Sequence, residues 1–493
     1  MASRADEAAY DVVVVGGGGA GLAAAIEARE AGCEVVLLEK NARLGGSTAW
    51  SIGSITATQT PHQLRRGIVD RPEDHWVDMA GFAPELAPRD NDVLRRILCD
   101  EVPAALRWLM QSGVRFTGPM PEPPHRQPRM HNVLPNSRSY IYHLERRARR
   151  AGVDIRTGTR VTRIIRQGDR VTGVDAETGG QTQRFAARRA VVLAAGDFTN
   201  SPELKARFMG EAAAKVEGVN LTATGDGQRL AEALGAQILN GDLALGPELR
   251  FIAPATETLV RRLPPWRALA AFMQWALDHL PQALLRPFMM KFLTTALAPS
   301  QLLFEQGAVL VNQGGERFGA ELDRPAWRVP DQPGKVAYIV LDHALAEQFS
   351  HWPFFVSTAP GIAYAYIADY RKNRPDVFSE ATTLAQLAEK LGMPPAALEA
   401  SVSSAPSHKP GNGPFIALGP VRSVFVHNEG GLAVDANHRV IGADQRPIAG
   451  LYAAGATGQG GLLLKGHGHH LAWAFVSGRR AGRFAAAERI AMQ

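Results

Sequence analysis

The sequence predicts an α/β fold, a Rossmann-like parallel sheet extended by a β-meander, and three patterns lead to this prediction. First, an apolar run at 11–15 precedes a glycine-rich turn at 16–21 and a helical stretch at 19–31. Second, another apolar run follows at 34–39, which completes a strand–helix–strand unit. Third, apolar and polar residues alternate between 153 and 174, as expected for strands joined by turns.

The glycine-rich turn matches the pattern G-x-G-x-x-G at Gly16, Gly18 and Gly21. In that pattern the first glycine permits a tight turn, the second lets the backbone approach a pyrophosphate, and the third lets helix and strand pack closely. The N–H groups at the start of the helix attract phosphate, and Glu39 is placed to bind ribose hydroxyls. We therefore predict a bound dinucleotide. A glycine-rich turn without a ligand is the alternative.

A second glycine turn, Gly45-Gly46-Ser47-Thr48, lets the backbone pass close to a flat ligand, and its hydroxyls can bond to that ligand. The segment 119–128 is rich in proline and is interpreted as a surface loop. Ligand contact by the histidines and arginines at 125–131 is the alternative for this loop. Asp226 is a candidate N-cap for the helix predicted at 228–234.

The chain is predicted to return to the parallel sheet twice. An apolar strand at 190–195 ends at Gly196, where the backbone can approach the adenosine half of a dinucleotide. A later strand at 447–454 ends at Gly455, and a final helix follows from about 469 to 489. Both ends of the chain therefore contribute to one cofactor site.

The composition excludes several classes of protein. A chain of 493 residues is too long for one simple core, so two domains or a large insertion are expected. Two cysteines, Cys33 and Cys99, cannot supply a disulfide framework, a zinc cage or an iron–sulfur cluster. The net charge of +6 without a nucleic-acid motif favours an anionic cofactor, substrate or membrane surface. We expect a cytoplasmic protein, because the first residues show no apolar signal region and no apolar run is long enough to span a membrane.

The segment 259–304 is rich in Trp, Phe, Met, Leu and Arg and poor in acids. Core packing, cover over an apolar substrate and contact with a membrane surface are three interpretations that the sequence leaves open.

The motifs follow one another in a characteristic order: Gly16-x-Gly18-x-x-Gly21, Glu39, Gly45-Gly46-Ser47, Ala194-Ala195-Gly196-Asp197-Phe198, Thr224-Gly225-Asp226-Gly227, Asn312-Gln313-Gly314-Gly315-Glu316-Arg317-Phe318, Gly430-Gly431 and Gly450-Leu451-Tyr452-Ala453-Ala454-Gly455. This order resembles the FAD-dependent fumarate reductase/succinate dehydrogenase flavoprotein superfamily, which includes 3-ketosteroid Δ1-dehydrogenases and tricarballylate dehydrogenases. The resemblance implies a split FAD-binding domain at 1–245 and 428–493, with an α+β capping domain inserted at 246–427. It is weak between 241 and 327.

The resemblance also implies FAD as the cofactor. Respiratory members attach the flavin to a histidine shortly after the second glycine turn, and Ser47–Ser51 has none, so we expect non-covalent FAD. Without haem or iron–sulfur ligands, the chain must exchange electrons with an external donor or acceptor such as a quinone or another flavoprotein. The candidate FAD contacts are Gly16, Gly18, Gly19, Ala20, Gly21, Glu39, Lys40, Gly45, Gly46, Ser47, Thr48, Val161, Ala195, Gly196, Asp226, Gly455, His469 and Leu471.

In that family, hydride moves between flavin N5 and a carbon β to a carbonyl or carboxylate, and a proton moves at the α carbon. By position, the resemblance implies that His427 binds the substrate and that Arg324, with Arg328 as a fallback, donates the proton. Lys465 occupies the place of a substrate-binding arginine, and His467 is the fourth catalytic candidate.

Two departures from the fumarate reductase pattern affect the predicted substrate. The His-Pro-Thr segment at the start of the cap is replaced by Ala244–Arg250, and the motif before the final helix is replaced by Lys465–His470. Both changes remove parts of a dicarboxylate clamp, because a lysine cannot bind a carboxylate in the bidentate manner of arginine. We therefore favour a larger or cyclic ketone-type substrate over a small di- or tricarboxylate.

The three histidines at 467, 469 and 470 could bind a metal, but hydrogen bonding to flavin or substrate is favoured, and no metal is predicted. Two other functions remain open. A flavin monooxygenase or oxidase would react with oxygen, and a non-catalytic electron-transfer subunit would depend on a partner. Tyr364 and Tyr366 are alternative acid/base groups.

Overall fold

The computed structural model describes residues 8–254, 262–359, 363–405 and 413–489. The strands in these ranges are β1 (Ala8–Val15), β2 (Val35–Glu39), β3 (Ser54–Thr56), β4 (Arg115–Met120), β5 (Met130–Leu134), β6 (Asp154–Thr157), β7 (Thr159–Gln167), β8 (Arg170–Thr178), β9 (Gln181–Leu193), β10 (Glu217–Gly218), β11 (Ile238–Leu239), β12 (Ala244–Leu245), β13 (Glu248–Phe251), β14 (Val309–Asn312), β15 (Ala337–Leu341), β16 (Ser357–Ala359), β17 (Ala363–Ala365), β18 (Phe378–Ala381), β19 (Phe415–Phe425), β20 (His427–Asn428), β21 (Gly431–Leu432), β22 (Arg439–Ile441) and β23 (Pro447–Ala453).

The α-helices in the same ranges are α1 (Gly19–Glu30), α2 (Gly46–Trp50), α3 (Pro61–Arg65), α4 (Pro72–Ala80), α5 (Asp92–Ser112), α6 (Arg138–Ala151), α7 (Pro202–Met209), α8 (Glu211–Ala214), α9 (Asp226–Glu232), α10 (Arg267–His279), α11 (Gln282–Ala296), α12 (Leu302–Glu305), α13 (His343–Gln348), α14 (Ile367–Asn373), α15 (Leu384–Leu391), α16 (Pro395–Ser403) and α17 (His469–Ala487). Short 3-10 helices lie at Pro84–Arg89, Pro325–Trp327, Val329–Asp331 and Pro333–Lys335.

The larger sheet has eight strands, and its centre is parallel in the order β23–β9–β1–β2–β6. The runs 12–15 and 35–38 are buried, as expected for central strands covered by helices on both faces. β7, β8 and β9 form an antiparallel meander. The predicted Rossmann-like sheet, meander and returning strands are confirmed. The strand at 154–157 differs from the prediction, because it pairs with β2 and extends the parallel sheet.

Helices α1 and α17 pack together closely through small residues. A Cβ atom at Gly478 would lie 2.4 Å from the carbonyl oxygen of Ala20, and one at Gly482 would lie 2.3 Å from that of Ala24. Only glycine therefore permits this spacing between the two helices. The contact fixes the start of the last helix relative to the start of the first.

The second sheet has six strands, with β19 paired to β10, β13, β15 and β18, and with β14 on the far side of β15. Two short antiparallel ladders, β11–β21 and β12–β20, join the segment near 240 to the segment near 430. The domain bounds 1–245, 246–427 and 428–493 stay a prediction. Within the described ranges, no helix has both the length and the apolarity needed to cross a bilayer.

Two local predictions need correction. Gly225, with φ of +74°, is the N-cap of α9, and Asp226 is the first residue of the helix rather than its cap. The proline-rich loop lies at the surface only in part, because His125 is buried within it and Arg129 is fully buried just after it. The Arg129 guanidinium forms ion pairs with Asp70 and Asp78, at 2.7 Å and 2.6 Å, and these pairs hold the end of the loop inside the protein.

Candidate active site

The glycine turn after β1 has two crowded positions and one open position. A Cβ at Gly16 would lie 2.4 Å from the carbonyl oxygen of Ala194, and one at Gly21 would lie 1.9 Å from that of Gly16. At Gly18, by contrast, the nearest atom to an added Cβ is the carbonyl oxygen of Gly45, at 3.8 Å. The outer two glycines therefore serve packing, and the middle one borders open space.

The start of α1 faces this open space. Its N-cap is Gly18, which has no side chain to cap the helix. The N–H of Gly19 donates to the Thr48 hydroxyl at 3.1 Å, and the N–H of Gly17 donates to the buried Glu39 carboxylate at 2.7 Å. An uncapped helix start beside a gap is suited to an anionic ligand. Glu39 fixes the turn, and its contact with ribose stays a prediction.

The second glycine turn closes the other side of the gap. The N–H of Gly45 donates to the Gly17 carbonyl oxygen at 3.0 Å, and a Cβ at Gly46 would lie 3.6 Å from the Cα of Gly18. Ser47 accepts a hydrogen bond from the Asn220 amide at 2.9 Å. The predicted residues 45–48 are thus brought against residues 17–19.

The end of β9 joins the same region. The carbonyl oxygen of Gly196, which follows Ala195, accepts hydrogen bonds from the Gln228 amide at 3.0 Å and the Thr457 hydroxyl at 2.8 Å. Val161 is buried in the meander strand β7.

Lys40 and Asp226, both predicted FAD contacts, form an ion pair of 3.0 Å. Lys40 also donates to the Thr224 hydroxyl at 2.6 Å. The pair connects the end of β2 to the start of α9.

The C-terminal segment completes the cleft. The N–H of Gly455 donates to the Ser477 hydroxyl at 2.8 Å, and a Cβ at Gly455 would lie 2.9 Å from that of Ala20 in the first turn of α1. Leu471 is buried in the first turn of α17, whose N-cap Gly468 leaves the helix start without a side-chain cap. Two uncapped helix starts and four glycine-containing segments fit an extended anionic dinucleotide such as FAD.

A buried carboxylate lies at the centre of the predicted substrate side. Glu429 is fully buried, and its oxygens lie 3.5 Å from Lys465 Nζ, 3.8 Å from His427 Nε2 and 3.8 Å from His470 Nε2. The Gln459 amide donates to the same carboxylate. The structure therefore brings together two predicted catalytic residues, His427 and Lys465, around an acid that the sequence analysis missed.

The two histidines of this group are neutral at neutral pH. Burial, with the neighbouring His470, holds the pKa of His427 well below its usual range. Burial, with His469 and Lys465, lowers the pKa of His470 to about 3. Their rings lie 3.7 Å apart between centroids. The site thus holds a lysine–carboxylate pair and two uncharged imidazoles.

The three histidines at 467, 469 and 470 do not form one cluster. His467 is exposed and hydrogen-bonds through Nδ1 to Glu122, which raises the pKa of the imidazole. His469 points elsewhere: its Nδ1 donates to the Lys465 carbonyl oxygen, and its Nε2 lies 3.3 Å from His75 Nε2. His470 joins the Glu429 group.

A second buried histidine group, His75, His125 and His469, was also missed by the sequence analysis. The three rings lie 5.3 to 5.5 Å apart between centroids. Arg129 donates to His125 Nδ1 at 2.9 Å, so the neutral ring carries its proton on Nε2. No sequence signal links residues 75, 125 and 469. Glu429, in contrast, could have been suspected as an acid directly before Gly430-Gly431.

Arg324 lies at the N-cap of the 3-10 helix Pro325–Trp327, with φ of +46°, and its side chain is exposed. Within the described ranges it makes no side-chain hydrogen bond or ion pair. The fallback Arg328 pairs with Asp323. The roles of both arginines stay predictions.

The apolar segment 259–304 divides between two environments; residues 259–261 lie outside the described ranges. Leu293 and Phe304 are buried, so core packing explains its second half. Trp266, Phe272 and Trp275 are 60%, 61% and 49% exposed, so core packing does not explain its first half.

Comparison with known sequences decides the family. The family described as FAD binding domain matches residues 11–260 and 274–463. The chain belongs to this family. The predicted relation to the fumarate reductase/succinate dehydrogenase flavoproteins is confirmed, and so is FAD as the cofactor of this FAD-binding protein.

Individual proteins are similar to this chain at low sequence identity. The NADH:fumarate oxidoreductase of Klebsiella pneumoniae is 27% identical over 90% of this chain, which spans only 44% of that protein. The vinyl phenol reductase of Lactiplantibacillus plantarum is 25% identical over 97% of this chain and 96% of its own length. Both are named as oxidoreductases or reductases, and the prediction of an FAD-dependent oxidoreductase is confirmed at that level.

A solved structure, the open conformation of a flavocytochrome c3 fumarate reductase, superposes with a TM-score of 0.73 at 24% identity. The match covers 99% of this chain and 79% of that chain. At this identity the likeness shows the fold.

Proposed function

We propose that this FAD-binding protein is a dehydrogenase or reductase of carbon–carbon bonds activated by a neutral carbonyl, with a larger or cyclic apolar enone, ketosteroid-like in size, as substrate. The observation that carries the proposal is the ion pair between Lys465 and the fully buried Glu429. The vinyl phenol reductase match, over 97% of this chain, supports a substrate without a carboxylate, because a vinyl phenol carries none.

The charges around Glu429 favour a neutral substrate. At an effective dielectric of about 20, unit charges 3.5 Å apart attract by about 5 kcal/mol, so Glu429 already offsets the charge of Lys465. A dicarboxylate entering this site would meet the Glu429 charge and two neutral imidazoles. A neutral carbonyl needs only hydrogen-bond donors, and His427 and Lys465 both supply N–H groups.

Bound FAD, held without a covalent link, would supply the hydride acceptor or donor. The protein's own contribution is to orient the carbonyl, to hold developing enolate charge with the donors of His427 and Lys465, and to move one proton. Arg324 is the proposed proton donor. An external partner, such as a quinone or another flavoprotein, supplies or removes the electrons.

The test is anaerobic flavin reoxidation by a panel of acceptors, with the purified flavoprotein reduced by dithionite. We expect cyclic enones to reoxidise the flavin faster than fumarate or a tricarboxylate. Faster reoxidation by fumarate would establish the small-carboxylate alternative and refute the neutral-carbonyl proposal. Rapid peroxide formation with oxygen alone would favour the oxidase, and turnover only with a protein partner would favour the electron-transfer subunit.

A charge variant sharpens this test. Glu429→Gln frees the Lys465 charge, so the ratio of kcat/KM for fumarate over enone is expected to rise about tenfold or more, the effect of one unpaired charge near a carboxylate. Glu122→Gln is the control, because the Glu122 carboxylate pairs with His467 and its loss leaves the ion pair between Lys465 and Glu429 intact. An unchanged ratio in Glu429→Gln would show that the ion pair does not select against carboxylate substrates.

A further inference from the structure

A basic cavity lies on the surface between α6 and the start of α10. It has a volume of about 780 Å³, and its lining includes Arg146, Arg147, Arg150 and Arg267 against one acid, Glu30. Glu30 is already bound by Arg147 in a two-point ion pair with distances of 2.8 Å and 2.9 Å. The other three arginines therefore provide positive charge that no acid in the cavity offsets.

The contacts of these three arginines leave their charge available. Arg146 donates to the Tyr142 hydroxyl at 3.1 Å, and Arg267 donates to the Gln111 carbonyl oxygen at 3.4 Å. Arg150 is exposed and makes no side-chain hydrogen bond or ion pair with any described residue. Several guanidinium groups around one open cavity are suited to phosphate, because each can donate two parallel hydrogen bonds.

An exposed aromatic row begins at the same cavity. Trp266 lines the cavity and directly precedes α10, where Phe272 and Trp275 stack 6.0 Å apart. His279 stacks on Trp275 at 5.4 Å, so positions 272, 275 and 279 form one outer face of the helix. Ala270 and Ala276 of the same helix are buried.

We propose that this surface docks on a membrane containing anionic phospholipid, with headgroup phosphates in the arginine cavity and the aromatic row in the interfacial layer. A free phosphate compound would explain the arginines but not the row of exposed rings. An apolar protein partner would explain the rings but not the unpaired arginines. Tryptophan and arginine side chains on a helix that lies along the protein surface are typical of proteins that bind at a membrane interface.

The docking surface does not depend on the substrate proposed above. Membrane binding is measured by co-sedimentation of the FAD-loaded protein with vesicles of phosphatidylcholine and phosphatidylglycerol in equal amounts. Vesicles of phosphatidylcholine alone serve for comparison. We expect binding to the anionic vesicles only, and release as salt is raised, because the attraction is screened. No binding to anionic vesicles at low salt would overturn the proposal.

Paired variants separate the two parts of the surface. Arg146→Gln with Arg150→Gln is expected to lower the partition coefficient about tenfold, since each arginine near an anionic surface contributes severalfold. Phe272→Ser with Trp275→Ser is expected to lower it by a similar factor. Arg446→Gln is the matched control, because Arg446 is exposed in the turn between β22 and β23, at the sheet edge opposite β6.

Flavin content and thermal unfolding of each variant show whether it is folded. Wild-type partitioning in both double variants would refute the docking surface. A further arm adds inorganic phosphate at constant ionic strength. Displacement of the vesicles by millimolar phosphate would identify the cavity as a site for free phosphate instead.

Discussion

The cofactor cleft and the proposed substrate site of this protein are built in different ways. The cleft is made by backbone: glycines at 16, 21 and 455 allow contacts that any Cβ atom would prevent, and two helix starts remain uncapped. The proposed substrate site is made by side chains, with one buried acid beside a lysine and two histidines. A conformational requirement of the backbone appears in the sequence as a local pattern of glycines. A cluster of side chains from distant segments appears only in the folded structure.

The largest effect is expected from a substitution in the cofactor cleft, which is built by the backbone. Gly21→Ala places a Cβ 1.9 Å from the Gly16 carbonyl oxygen, so strand and helix must separate. We expect a loss of stability of about 3 kcal/mol or more and little bound flavin. Thermal unfolding and the visible flavin absorbance measure both.

Gly18→Ala is the matched variant, because its Cβ would meet no atom closer than 3.8 Å. The protein should fold with nearly unchanged stability but bind FAD at least about tenfold more weakly, since the methyl group occupies the space left for pyrophosphate. Wild-type FAD affinity in Gly18→Ala would place the pyrophosphate elsewhere.

The same distinction explains which parts of the molecule could be predicted. The strand at 11–15, the glycine turn and the return at 455 were recognisable because the backbone geometry demands particular residues at fixed spacing. Glu122 and His75 were not recognisable, because their partners His467 and His469 lie hundreds of residues away in sequence. His125 was hidden further by a proline-rich loop, a pattern that describes the exposed residues around it correctly.

A smaller effect is expected from substitution of the proposed proton donor. If Arg324 donates the proton, Arg324→Ala should lower kcat at least about hundredfold with a smaller change in KM, because the loss affects the transition state. Steady-state kinetics on an enone found by the flavin test would measure it. Arg328→Ala is the control, and retained kcat in Arg324→Ala with lost kcat in Arg328→Ala would transfer the role to Arg328.

The smallest expected effect is on the stability of the protein at acidic pH, to which the buried histidines contribute. Burial holds the pKa of His75 well below its usual range, lowers that of His469 and lowers that of His125 to about 2. A histidine with a depressed folded pKa contributes stability above its unfolded pKa of about 6.5, and this contribution falls by about 1.4 kcal/mol per pH unit below it.

His125→Gln should therefore reduce the loss of stability between pH 7 and pH 5 by about 2 kcal/mol, with its amide oxygen replacing the ring as acceptor for Arg129. Urea unfolding of the FAD-loaded protein at the two pH values measures this difference, and His351→Gln, at an exposed position, is the control. An equal loss in wild type and His125→Gln would mean that the ring is protonated within the fold. The close contacts of Gly16 and Gly21 are to backbone carbonyl oxygens, which do not titrate, so acid should weaken the histidine side of the molecule before it affects these contacts.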